Sequence, residues 1–167
     1  MNINRLPFYN NWFFLRTDLT VTMGEIENQK TRFEAVELPH DWLIYDAKNL
    51  YQDGCGWDRK EFELVTGEVE NFAGELGRGG GEQENVSAAG TEKVFARIDR
   101  GERVILRFDG VYMNSTVYVN GTKIGDWKYG YSTFDMDVTA ALTQGKNVVM
   151  VQVRFQSPNS RWYSGAG

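Results

Sequence analysis

An antiparallel, all-β sandwich is the architecture this sequence predicts, and three observations predict it. Aromatic residues make up 14% of the chain and only 3 of its 167 residues are Pro, a composition that suits pleated, half-buried surfaces. Several segments alternate apolar and polar residues with a period of two, as a strand with one buried face requires. No window of about 12 residues carries an apolar stripe at helical spacing, so little helix is expected.

The elements follow in order along the chain. Asn11 to Arg16, Phe33 to Leu38 and Trp57 to Val65 read as strands, the last with Phe62 and Leu64 facing inward. Thr66 to Arg100 differs in kind, because six glycines fall between Gly74 and Gly90, interleaved with Glu75, Arg78, Glu82 and Glu84. Such a composition buries little apolar area and predicts a long flexible insertion, with room for a short strand at Lys93 to Ile98. A phosphate-binding loop is disfavoured there, since no Gly-Lys-Ser/Thr follows the glycines and no strand-to-helix transition frames them.

Beyond the insertion the alternation strengthens. In Arg103 to Asp109, Val104, Leu106 and Phe108 share one face; Val111, Met113, Ser115, Val117 and Val119 repeat the pattern in the next segment. Asn120-Gly121 follows at once and offers the positive φ angles of a two-residue hairpin turn leading into Thr122, Lys123 and Ile124. Asp137 to Leu142 fits a single helical turn capped by Thr139. Lys146 to Phe155 is a strand with Val149, Val151, Val153 and Phe155 on one side and Val148 and Met150 on the other, apolar enough to sit centrally in a sheet.

Composition also bounds function. A net charge of −5 argues against nucleic acid, which needs clustered Lys and Arg at its phosphates. The lone Cys55 and lone His40 leave no His/Cys cluster at metal-ligand spacing, so neither a disulfide nor a metal is expected, and no cofactor either. No apolar run is long enough to span a membrane, and Met1 to Arg16 lack the pattern of a signal peptide, which favours a cytoplasmic location.

No Gly-x-Ser-x-Gly elbow accompanies His40, which reads as a structural imidazole rather than a catalytic base. Carboxylates are plentiful enough for glycoside hydrolysis, but no pair stands out, and most are surface charge. The five tryptophans, Trp12, Trp42, Trp57, Trp127 and Trp162, are a different signal, because indole faces stack on the C–H face of a sugar. Trp12 and Trp57, inside strands, are expected in the core. For Trp127 and Trp162, beside turns and next to Lys128 and Arg161, core filling and sugar stacking stand level.

Specific strings then accumulate in order: Leu38-Pro39-His40-Asp41-Trp42; Gly56-Trp57 with Arg59-Lys60; Leu106 to Ser115; Val117-Tyr118-Val119-Asn120-Gly121; Tyr129-Gly130-Tyr131 with Phe134; Asp137-Val138-Thr139; Asn147-Val148; and Pro158-Asn159-Ser160-Arg161-Trp162-Tyr163-Ser164-Gly165. Together they resemble the N-terminal sugar-binding domain of family 2 glycoside hydrolases, most like the bacterial β-galactosidases. The resemblance covers nearly the whole chain outside the insertion.

It implies a galactose-binding-domain-like jelly roll that precedes further domains, including a barrel carrying two catalytic glutamates in a retaining mechanism. The chain is then expected to be a single-domain fragment with no catalytic residue of its own. It would help to bind a β-galactoside substrate together with the absent C-terminal domains, in a parent that is a candidate homo-oligomer. The resemblance places Asp53, Asn159, Arg161 and Trp162 on loops that shape the sugar subsite. An amide at Asn159, where relatives carry an acid, is a poorer ligand for a hard cation. Asp58 stands where the family usually has Tyr, and the insertion is longer than usual. A free-standing carbohydrate-binding module and an oligomerisation domain are the alternative readings.

Overall fold

The computed structural model describes residues 5–42, 53–65, 68–70, 98 and 101–156. Its elements are β1 (Trp12–Thr17), α1 (Met23–Glu27), β2 (Glu34–Val36), β3 (Gly54–Val65), β4 (Glu68–Glu70), β5 (Ile105–Phe108), β6 (Ser115–Val119), β7 (Thr122–Trp127), β8 (Phe134–Asp137) and β9 (Gly145–Phe155). Among the described residues one antiparallel sheet runs β2-β1-β3-β9-β6-β7 with β4 beside β3, and β5 and β8 form a second. The fold is an all-β sandwich, as the alternation requires.

β9 lies between β3 and β6 and is apolar on both faces for that reason. Val149, Val151, Val153 and Phe155 enter the larger core with Phe62, Leu64, Val117, Val119 and Phe134. Met150 and Val148 face the other way, into a smaller core built on Leu15, Cys55, Trp57 and Ile26 of α1. Trp12 and Trp57 are core residues, as expected.

The hairpin at Asn120-Gly121 has φ angles of 50° and 76°, the double left-handed geometry that Asn-Gly favours. Val119 pairs with Thr122 across it, and Ile124 is the extra residue of a bulge in β7. Asn120 also ties the turn to β9, accepting the Val148 N–H at 2.9 Å and donating to Asn147 Oδ1 at 2.8 Å.

Several boundaries differ from the sequence reading. The strand expected from Val111 begins only at Ser115, because Asn114 takes φ +58° and breaks the alternation, leaving Tyr112 buried. The segment Phe33 to Leu38 is a strand only over Glu34–Val36, while β3 starts earlier, at Gly54. β8 and α1 were not foreseen: β8 is too short to show a period, and α1 is a five-residue helix. The turn at Thr139–Ala141 is 3-10, with Val138 at its N-cap; Asp137 Oδ1 accepts the Thr139 N–H at 3.0 Å and hydroxyl at 2.6 Å. Thr139 is therefore the first residue of the turn and not its cap.

Strand pairing continues past Thr66, since Glu68–Glu70 pair with β3 from Glu63 to Val65. Of the strand expected at Lys93 to Ile98 only Ile98 is described; it is helical, and its carbonyl accepts the Gly101 N–H at 2.8 Å. The glycine-rich stretch from Gly74 to Gly90 lies outside the described residues.

Candidate functional site: one end of the large sheet

Strand register decides which loops are neighbours. Cys55 pairs with Thr17, Gly54 with Phe155, and Ser115 with both Val153 and Trp127. The start of β3, the ends of β1, β7 and β9 and the start of β6 thus share one end of the sheet. Asp53 precedes β3 there and is exposed. Asn159, Arg161 and Trp162 follow β9 in the sequence and lie outside the described residues, so of the four expected site residues the structure places Asp53.

An aromatic bed underlies this end. Trp42 stacks on Phe14 at 6.3 Å and meets Phe155 edge-on at 6.2 Å, while Arg16 sits over the Trp42 ring at 4.4 Å. Two glycines on one face of β3 permit the approach. A Cβ on Gly54 would stand 3.2 Å from Trp42 Cη2, and one on Gly56 would stand 2.9 Å from Phe14 Cε2, a distance no side chain tolerates. Trp42 packs its loop against the sandwich, as the Pro39-His40-Asp41-Trp42 string suggests; sequence reasoning missed Arg16 and the ring's seat on the glycine face of β3. The available signal was Gly54-x-Gly56, two absent side chains on one strand face, which marks a ring laid against the backbone.

His40 packs on Phe14 at 4.6 Å. Burial lowers its pKa, against an opposing pull from Asp41, so the neutral imidazole prevails near pH 7 and serves the loop that carries Trp42. Trp127 is half-buried, stacked on Phe134 at 4.8 Å, with Nε1 donating to Ser132 Oγ at 3.1 Å. That settles the choice for Trp127 in favour of core packing.

Asp58 carries the chemistry that most needs explaining. Burial alone raises its pKa to about 7, and a raised carboxyl is also what a general acid shows. Its position argues otherwise. It is 9% exposed, flanked across the sheet by Phe14 and Val151, and points away from Trp57, whose packing against Tyr118 on the opposite face it leaves intact. Lys60, two residues on, is fully buried and lowered to about 8 by burial; its ammonium donates to the Asn10 carbonyl and lies 4.6 Å from the Phe8 ring centroid. Among the described residues no three His, Cys, Asp or Glu side chains gather into a metal-binding cluster.

An antiparallel β-sandwich with the loops of β1, β3, β6, β7 and β9 gathered at one sheet end is the class of fold that the chain presents. Residues 84–163 match the family model described as the glycosyl hydrolase 2 galactose-binding domain-like family. A β-galactosidase of Bacteroides ovatus is 33% identical over 147 residues, covering 81% of this chain and 14% of that protein. A solved family 2 member from Bacteroides cellulosilyticus superposes with a TM-score of 0.62 at 24% identity, over 96% of this chain and 19% of that one. A β-glucuronidase structure from Bacteroides uniformis gives 0.63 at 20% identity, over 95% and 16%.

Over residues 84–163 the chain belongs to the galactose-binding-domain-like family of glycosyl hydrolase 2. It spans about one seventh of the curated relative's length.

Proposed function

We propose that this domain serves a retaining glycoside hydrolase acting on terminal β-galactosides, supplying substrate-positioning loops while the catalytic carboxylates belong to parts of the protein outside this chain. The observation that carries the reading is Asp53, exposed just before the start of β3 in a domain of a glycosidase family. A carboxylate there accepts hydrogen bonds from sugar hydroxyls and orients the ring for a nucleophile and an acid held elsewhere. Of the two activities that its relatives' names carry, the β-galactosidase relative at 33% identity favours the galactoside.

The test uses the whole protein that carries this domain, with nitrophenyl β-galactoside and β-glucuronide as substrates. The galactoside is expected to be hydrolysed in preference, with its anomeric configuration retained. Asp53→Ala should raise KM about tenfold with kcat little changed, as loss of a charge-assisted contact does. The 167-residue chain alone should show no turnover. Preference for the glucuronide, an unchanged KM, or hydrolysis by the isolated chain that a point change in it abolishes would each overturn the reading.

A further inference from the structure

The loop joining β7 to β8, residues 128–133, crosses between the two sheets at the Asp53 end. Tyr129 and Tyr131 in it are 69% and 72% exposed, more than any other large hydrophobic side chain among the described residues. They are not loose. Tyr129 meets the pinned Trp127 edge-on at 5.7 Å, and Trp127 is itself held by Phe134 and Ser132. A Cβ on Gly130 would come within 3.4 Å of the Met113 backbone nitrogen, so the middle of the loop lies directly on the loop before β6.

Tyr131 has φ +57°, a left-handed conformation that a bulky L side chain seldom adopts. Burial does not reward that conformation, because the ring it presents is in solvent.

We propose that Tyr129 and Tyr131 form a stacking platform for an oligosaccharide, extending outward from the Asp53 end. This rests on the carbohydrate reading above. β3 and β7 are separated by three inter-strand steps, about 14 Å, which a short oligosaccharide reaches and a single sugar ring does not. The surroundings favour a glycan over a protein partner. Tyr129 and Tyr131 alternate with Gly130 and are bounded by Lys128 and Ser132, so small and polar residues interrupt them, whereas a protein-docking patch presents contiguous apolar surface. Isolated amphipathic rings with polar neighbours suit the C–H faces and hydroxyls of sugars.

Saturation-transfer NMR on the 167-residue chain tests this, with galactose and a linear β-linked galactotetraose as probes. The tetraose should receive saturation from tyrosine ring protons, and galactose much less. Tyr129→Ala/Tyr131→Ala should weaken tetraose binding about tenfold with an unchanged thermal midpoint, and Tyr129→Phe/Tyr131→Phe should restore most of it, since stacking uses the ring face. Absence of tetraose binding, or binding unchanged in the double alanine variant, overturns the platform and leaves the preference for β-galactoside hydrolysis, measured separately, standing. Protection of both rings from a paramagnetic solvent probe in the sugar-free whole protein would show a further domain seated on them, and overturns it as well.

Discussion

Asp58 and Lys60 are the residues whose positions cost the fold most, because each brings an ionisable group onto the core face of β3. For Asp58 the folded pKa, about 7, lies above the unfolded value near 4. The folded state therefore holds the extra proton between those values, and stability falls as pH rises through that window. Asp58→Asn should flatten this fall and raise the thermal midpoint at pH 8, as differential scanning calorimetry from pH 4 to 8 would show; an unaltered profile would mean the carboxyl is solvated. Asn147 is the opposite case, fully buried and fully used. Its Oδ1 accepts from Asn120 Nδ2 and Thr143 N, each at 2.8 Å, and its Nδ2 donates to the Thr143 and Gly145 carbonyls at 2.7 and 2.9 Å. Asn147→Ala strands those partners and should cost about 2 to 4 kcal/mol in urea denaturation.

At the scale of elements, α1 shows how a segment too short to be helical alone is held by packing. The Glu25 carboxylate accepts the Thr22 N–H and hydroxyl, each at 2.8 Å, which closes the first turn. Ile26, with no exposed surface, then enters the core beside Trp57 and Met150. Ile26→Ala should destabilise the domain by about 2 to 4 kcal/mol while leaving the Asp53 end unchanged, a combination that urea titration and NMR shifts of the loops would register. If only α1 frayed and the global midpoint held, the smaller core would be an appendage rather than part of the cooperative unit.

The whole molecule is organised around a sheet buried on both sides, and Cys55 reports on it. Its thiol is fully buried, and burial is the chief cause raising its pKa, so little thiolate is available to react. Labelling by a thiol-reactive disulfide should therefore proceed at the rate of global unfolding and accelerate with urea in parallel with it. Labelling faster than unfolding, and insensitive to urea, would reveal a local opening of β3 next to Asp53.

What the sequence determined by itself is local or carried by resemblance. The period-two faces of Leu106 and Phe108 and the two-faced strand from Lys146 to Phe155 follow from side-chain order alone, as does the Asn120-Gly121 turn, because pleat and turn geometry act over neighbouring residues. Ordered strings such as Leu38 to Trp42 carried the family. The tertiary structure alone decided that β9 runs between β3 and β6, bringing Gly54 opposite Phe155, and that Asp53 shares a sheet end with the Tyr129 loop. It also decided that Asp58 and Lys60 turn inward. Strand neighbours far apart in sequence are chosen by the burial of the whole sheet, and no local pattern encodes that choice.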